Sequence, residues 1–340
     1  MSARELIERV MARQNLGAEV MHGAIGQIMD GLWAPEAIAA LLTALRMKGE
    51  TADELRGAVV AMRERAVRVD AGAGPVVDTC GTGGDETNTY NISTAAALVA
   101  ATHVKVAKHG NRAVSSRSGS ADVLEALGVR VGLSAEGVER CIREAGVGFL
   151  FAPAHHGAMR HAAPVRRVLG FRTLFNLMGP LTNPAGADCQ VVGLYDRGRL
   201  RDVATVLRDL GTRRALVVHG CDGLDELTLA GETWAVEVRD GALRELVIVP
   251  EDGGIERAST QELAGGTAAE NAALIRGLLA GTVQGPKLDV LLLNAGAALW
   301  VAGASADLRG GVELARGAIE GGEAARTLRR LIEASNEEEP

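Results

Sequence analysis

The chain has 340 residues, 47% of them hydrophobic and 23% charged, and a formal net charge of −7. That length suits about two domains of roughly 150 residues, and the composition excludes a largely disordered chain. No basic excess points to nucleic acid or to an anionic membrane.

The first 70 residues read as successive helices. Pro35 stands in a first helical turn, AIAALLTALRMK follows and Gly49 supplies a stop. Thr51-x-x-Glu54 is a capping-box pattern opening a helix expected to run through Val67. The start, MSARELIERVMARQ, has no apolar stretch of the kind a signal peptide needs. A Gly/Pro linker, Asp70 to Pro75, divides a helical domain (1–70) from a second domain (76–340).

After Pro75 short β-branched runs alternate with helical stretches. Val76-Val77, Val104 to Val106, Val191 to Tyr195 and Ala215 to Val218 read as strands; Asn91 to Thr102 and Leu200 to Leu210 read as helices. Trp234 to Arg239 and Ala242 to Val249 flank Asp240-Gly241, a hairpin signal. The expected class is α/β: a small N-terminal all-helical domain plus a larger α/β domain whose mostly parallel central sheet is flanked by helices. The apolar run from Val290 to Ala306 holds Asn294 and Ser305 and is short for a membrane span, so it is expected as buried core. The tail from Asn336 to Pro340 is expected to fray. Cys80, Cys141, Cys189 and Cys221 form no CxxC pair, which favours reduced thiols and a cytoplasmic location.

Four segments carry chemistry. Asp78-Thr-Cys-Gly-Thr-Gly-Gly-Asp85 follows a short apolar strand, and its glycines let main-chain N–H groups approach a ligand. Asn91-Ile-Ser-Thr94 then opens a helix with N-cap residue types, and a helix N-terminus favours an anion. A well-capped turn with no ligand is the plain alternative. The second segment, Lys108 to Ser120, holds three cations, four serines and two glycines. Of 36 basic residues only Lys48, Lys105, Lys108 and Lys287 are lysines, so a retained Lys108 suggests a compact charge for phosphate. The alternative is a solvated surface loop.

The third segment places Asp225-Glu226 just beyond a strand. Adjacent carboxylates are usually surface decoration, but opposite a polyphosphate they suit Mg²⁺, with Asp85 a further acidic neighbour. The fourth runs from His155 to Gly170. His156, Arg160 and His161 fall on related helical faces by spacing, and Pro164 restarts the helix. That puts Arg166 and Arg167 in a first turn, where the helix dipole does not favour cations and an anion partner would; two solvated arginines are the alternative. Phe171 to Pro184 reads as a Pro-punctuated loop.

Taken in order, Gly81-Thr-Gly-Gly-Asp85, Asn91-Ile-Ser-Thr94, Lys108-His-Gly-Asn-Arg112, Ser116-Arg-Ser-Gly-Ser-Ala-Asp122, Pro164-Val-Arg-Arg167, Asn176 to Pro184 and Asp225-Glu226 resemble the anthranilate phosphoribosyltransferases of tryptophan biosynthesis, over essentially the whole chain. The resemblance implies a homodimer formed through the helical domain, a hinge around 70–76 and helices from about 154–180 packing onto the N-terminal ones. It implies phosphoribosyl diphosphate contacts at Gly81, Gly84, Asp85, Thr89, Asn91, Ile92, Ser93 and Thr94. These continue at Lys108, His109, Gly110, Asn111, Arg112, Ala113, Val114, Ser115, Ser116 and Ser120. It further implies anthranilate contacts at Gly81, Asn111 and Arg166, and Mg²⁺ contacts at Ser93, Asp225 and Glu226. Where the family often has Pro after the His of its His-x-Ala-Met element, this chain has Gly157.

The expected partners are thus anthranilate, phosphoribosyl diphosphate and a second copy of the chain, without nucleic acid or membrane. The expected mechanism assigns no general base, because an aromatic amine is neutral at pH 7. Two other readings stand beside it. Pyrimidine nucleoside phosphorylases resemble this layout but carry Ser-Thr after Lys-His, where this chain has Gly110-Asn111; phosphorolysis of thymidine or uridine would reveal one. A non-catalytic nucleic-acid-binding relative would use Arg160, Arg166, Arg167 and Arg172 as a basic groove, against the acidic net charge and the carboxylate pair.

Overall fold

The chain opens with four helices: α1 (Ala3–Met11), α2 (Ala18–Met29), α3 (Pro35–Lys48) and α4 (Ala52–Glu64). The structure is a computed structural model that describes residues 2–85, 87–113 and 117–338. Pro35 starts α3, and Gly49 ends it with φ +88°, a conformation side chains resist. The Thr51–Glu54 capping box forms, with the Glu54 carboxylate accepting from Thr51 N at 2.8 Å. That carboxylate is fully buried, paired with Lys48 at 3.0 Å and accepting from Leu16 N at 2.8 Å. The helix stops short of Val67, because Val67 N leaves it to donate to the His155 carbonyl at 2.9 Å.

The second part continues with β1 (Val76–Asp78), α5 (Ile92–Ala100), β2 (Lys105–Gly110), α6 (Ser120–Ala126), α7 (Ala135–Ala145) and β3 (Val147–Phe151). Three short helices follow: α8 (Ala152–His155), α9 (Ala163–Leu169) and α10 (Leu174–Met178). Then come β4 (Cys189–Gly193), α11 (Leu200–Asp209), β5 (Arg214–Gly220), β6 (Thr233–Arg239) and β7 (Ala242–Ile248). The chain ends with α12 (Ala268–Leu279), α13 (Pro286–Ala302), α14 (Leu308–Glu320) and α15 (Glu323–Asn336). The seven strands form one sheet in the order β3-β2-β1-β4-β5-β6-β7. The first five are parallel, and β6 and β7 add antiparallel at one edge. Asp240 and Gly241 both have positive φ, +50° and +76°, the geometry of a tight two-residue hairpin.

Both sheet faces are covered. One carries a core of Val77, Val106, Leu216 and Val218 under α5, α7 and α12 to α15, with α13 buried along most of its length as its apolar run requires. The other face offers Val192, Ala215 and Val217 to α11. This second core continues without a break through Val165 of α9 and Leu174 and Met178 of α10 into Leu41, Leu45 and Val59 of the N-terminal helices. No helix among the described residues is long and apolar enough to cross a membrane.

Further local expectations fail. His156, Arg160 and His161 do not share a helical face: α8 ends at His155, His156 sits at φ −117°, ψ 54°, and Gly157–His161 form a 3₁₀ turn. Gly157, a poor helix former, follows the break. The segment 171–184 is not a plain loop, because Asn176 Oδ1 accepts from Thr173 N at 3.0 Å and opens α10, and a 3₁₀ turn spans Gly179–Leu181. β2 runs on through Lys108, His109 and Gly110, beyond the strand end expected at Val106. The described part of the acidic tail is held, since the Arg140 guanidinium donates to the carbonyls of Ala334, Glu337 and Glu338 at 3.1, 3.2 and 3.4 Å.

Candidate functional site

The strand order reverses at β1. From β1 the chain winds outward to β2 and β3, then returns to place β4 on β1's other side. In an open α/β sheet such a reversal leaves a crevice at the strands' carboxyl ends, where ligands bind. The glycine loop after β1, the loop after β2 and the carboxylate loop after β5 all leave from those ends.

Main-chain amides tie these loops together. Gly83 N donates to Asp225 Oδ2 at 2.7 Å, and Thr82 N to the Gly193 carbonyl at 2.8 Å. A Cβ on Gly81 would lie 2.7 Å from Asp225 Oδ2, and Gly83 and Gly84 have φ +63° and +75°, so all three positions call for glycine. Asp85 accepts from Thr87 N and Thr87 Oγ1 at 3.3 and 2.6 Å, and Thr89 bridges to Ala264.

At the start of α5, Ser93 N donates to Glu226 Oε1 at 3.1 Å. The Ile92 and Thr94 side chains are buried, and Ile92 N donates to the Tyr90 carbonyl at 2.7 Å, so of these two positions only the Thr94 main-chain N–H is left for a ligand. Asn91 takes the N-cap position but does not cap with its side chain. Its Nδ2 donates to the Ser118 carbonyl and its Oδ1 accepts from Asn271 Nδ2, both at 3.0 Å, which fastens the helix start to the loop after β2.

Lys108 is buried, with Nζ donating to the Thr79 carbonyl at 3.0 Å and lying 3.4 Å from Ser93 Oγ. Lys105 has no such place, since its Nζ donates to the Ala73 carbonyl. Beneath the loops, Asp78 accepts from His109 N at 3.1 Å and Asn183 Nδ2 at 2.7 Å. Burial pushes its pKa up to about 6 against the pull of the Lys108 charge. His109 Nδ1 lies 3.1 Å from the Gly179 carbonyl.

In the loop after β2, Ser120 Oγ donates to the Asn111 carbonyl at 3.1 Å, and a Cβ on Gly110 would sit 2.3 Å from that Oγ. Arg112 is not a free cation. It pairs with Asp122 at 3.0 Å and Glu125 at 2.6 Å and lies over the Phe151 ring. The Ala113 amide is likewise held by Asp122, at 3.0 Å. Val114, Ser115 and Ser116 lie outside the described residues.

Burial pushes the pKa values of Asp225 and Glu226 up; the Asp85 charge adds to this at Asp225, and the Asp225 charge at Glu226. Crowded oxygen donors that resist ionising together, with Ser93 beside them, are a donor set that fits a hard divalent cation.

Arg166 and Arg167 do not sit where the dipole opposes them. The helix α9 is seven residues long, and both lie in its last turn. They differ in setting: Arg166 lies over the Phe175 ring at 5.4 Å and burial lowers its pKa, whereas Arg167 is exposed. Among the described residues no hydrogen bond joins Arg166 to Gly81 or Asn111. Two contributors are not among the residues the sequence assigns to this site. The Arg172 guanidinium donates to the Gly84 carbonyl and lies over the Tyr195 ring at 3.9 Å, and Asn183 positions Asp78. The Asn183-Pro184 dipeptide was a signal for the second; nothing local pointed to the first.

Residues 4–66 match the glycosyl transferase family's helical bundle domain and residues 73–325 its a/b domain, which makes the chain a two-part glycosyl transferase. An anthranilate phosphoribosyltransferase of Rubrobacter xylanophilus is 53% identical over 98% of this chain and 97% of its own. One of Chloroflexus aggregans is 52% identical over 99% and 100%. The solved anthranilate phosphoribosyltransferase of Thermus thermophilus superposes with a TM-score of 0.93 at 46% identity, covering 98% of this chain and 99% of that one. The Saccharomyces cerevisiae enzyme, solved in complex with PRPP and Mg, does so with 0.90 at 26% identity, covering 98% and 97%. The chain belongs to the anthranilate phosphoribosyltransferase family.

Proposed function

We propose that the protein transfers the phosphoribosyl group of phosphoribosyl diphosphate to the amine of anthranilate, giving N-(5-phosphoribosyl)anthranilate and diphosphate in tryptophan biosynthesis. The observation that carries this is the link from the Asp225–Glu226 pair to the main-chain amides of both the glycine loop and the α5 N-terminus. The relatives' names and the yeast complexes with PRPP and Mg and with 4-fluoroanthranilate support the same reading.

The bond that forms joins the amine nitrogen to ribose C1, and the bond that breaks joins C1 to the diphosphate oxygen. The amine needs no activation, because its lone pair is free at neutral pH; its proton passes to solvent. The protein's part is to position the two substrates and to stabilise charge on the leaving diphosphate. Amides of Gly84, Asp85 and Thr94, with Lys108, are assigned to the diphosphate, since Gly83 N and Ser93 N already serve the carboxylates. Ser93, Asp225 and Glu226 would hold Mg²⁺, which when bound supplies Lewis-acid neutralisation of the leaving group. The segment 70–76 would act as the hinge that closes the crevice against water.

Arg166 is assigned to the anthranilate carboxylate, a contact its planar fork suits. Arg166→Ala is expected to raise KM for anthranilate by about tenfold or more while leaving KM for phosphoribosyl diphosphate within about twofold; steady-state kinetics with each substrate varied would check this. Mg²⁺ must displace protons from carboxyls whose pKa values are raised. Apparent Mg²⁺ affinity in the presence of phosphoribosyl diphosphate should therefore climb between about pH 6 and pH 8, by up to about tenfold per unit for each proton released. Calorimetry across that range would measure it, and a flat profile would count against raised carboxyls.

A second copy of the chain is the proposed partner, joined through the N-terminal helices, where Met11 and Met47 stand exposed beside Val10 and Ala44. A cytoplasmic setting suits four cysteines that are all free. The direct test of the activity is the loss of anthranilate fluorescence on mixing with phosphoribosyl diphosphate and Mg²⁺. Consumption that needs all three components is expected, and phosphorolysis of thymidine or uridine in its place would favour the nucleoside phosphorylase reading.

A further inference from the structure

Asp78, Cys80 and His109 meet at the base of the crevice, where one ligand atom of each lies within 4.8 Å of the other two. Carboxylate oxygen, thiol sulfur and imidazole nitrogen make a borderline-soft donor set. The oxygen donors of Asp85, Asp225 and Glu226 are hard, so the two groups select different ions.

His109 carries a second, independent sign of a ligand. Its Nδ1 lies 3.1 Å from the Gly179 carbonyl, which can only accept, so Nδ1 bears the proton and Nε2 the lone pair. That Nε2 is buried and has no partner among the described residues, although His109 is only 3% exposed. Metal-bound histidines are held this way, one ring nitrogen tied to a carbonyl and the other free to ligate. Burial also keeps the ring neutral, pushing its pKa down to about 3. Asp78 is fixed in place by His109 N and Asn183 Nδ2, and among the described residues the Cys80 thiol makes only a long contact with the Gly81 carbonyl, at 3.6 Å.

We propose that Asp78, Cys80 and His109 bind a divalent cation of the zinc class, with a fourth position open to water, and that occupancy stops turnover by pinning Cys80 and with it the adjoining Gly81–Asp85 loop. On binding, the Cys80 S–H proton passes to the buffer and a sulfur–metal bond forms, with no change of oxidation state. A dication with one carboxylate and one thiolate is neutral overall, which suits a buried place beside the Lys108 ammonium.

The test uses the full-length protein in saturating Mg²⁺, titrated with Co²⁺ and then Zn²⁺. A near-ultraviolet thiolate-to-cobalt band that Zn²⁺ bleaches is expected, together with loss of anthranilate turnover as Zn²⁺ is added. Cys80→Ala should abolish the band, weaken Zn²⁺ binding by at least about tenfold and turn over normally in Mg²⁺ with or without Zn²⁺. Cys221→Ser, which alters an exposed thiol, should behave as the parent. The site is overturned by a cobalt band that survives Cys80→Ala or disappears with Cys221→Ser. It is equally overturned if no band forms, water alone then filling the space, or if Zn²⁺ leaves turnover of the parent unchanged. The cobalt band reports on the site even if anthranilate proves not to be the substrate.

Discussion

Replacing Asp225 by Asn and Glu226 by Gln together is expected to lower kcat/KM for phosphoribosyl diphosphate by on the order of 10³-fold, the scale of losing a main electrostatic stabiliser of a leaving group. The fold should survive, because an amide oxygen at either position can still accept from Gly83 N and Ser93 N, which the carboxylates now do at 2.7 and 3.1 Å. Stability should hold or rise. Both carboxyls have pKa values raised in the folded state, chiefly by burial. A raised carboxyl favours folding only while protonated, so its contribution is complete below the unfolded value and is lost as pH climbs through the folded one. Above neutral pH the metal-free parent therefore carries ionised groups that oppose folding, and the neutral replacements remove them. Thermal unfolding without Mg²⁺ near pH 8 should show the double variant melting no lower than the parent, alongside the collapse in turnover. A variant that turns over normally would remove the pair from the chemistry.

Gly193→Ala should be the most damaging single methyl in the site. Gly193 ends β4, and a Cβ there would lie 1.5 Å from the Asp225 carbonyl oxygen and 2.4 Å from its carbon. Both neighbours are backbone, so no side chain can swing aside. The strand pairs on with β5 through Val218, and Gly193 also receives the Thr82 amide at 2.8 Å. Relief must come from moving the carboxylate loop or the carboxyl end of the central strand β4, at a cost of about 3 kcal/mol. The carboxylates and the glycine loop would shift together, so turnover should fall in parallel. Gly157→Ala is the control, since nothing among the described residues lies within 4 Å of a Cβ at that position. Denaturant unfolding of the two variants measures the difference, and equal stabilities would contradict the close approach of Gly193 to Asp225.

Much of this architecture is legible locally. The Asp240-Gly241 hairpin and the Thr51–Glu54 capping box follow from turn and cap chemistry within a few residues of themselves. The two site loops stand out because glycines crowd into one and a rare lysine stands just ahead of the other. What could not be read depends on partners far along the chain. β2 continues through Lys108 and His109 because β3 pairs with it there, and polar residues at a strand's functional end hide its length. Val67 leaves its helix for a carbonyl at residue 155, and Asp78 is held by Asn183. The contact between Arg172 and Gly84 joins segments that sequence treats as unrelated. Arg166 and Arg167 look equivalent until α9 turns one over Phe175 and the other outward.

The most direct measurement is a crystal structure of the protein soaked with phosphoribosyl diphosphate and Mg²⁺. The account predicts diphosphate oxygens against the amides of Gly84, Asp85 and Thr94, with the ion between them and Asp225 and Glu226. Sugar diphosphate seated productively anywhere else, or an ion held by neither carboxylate, would contradict it.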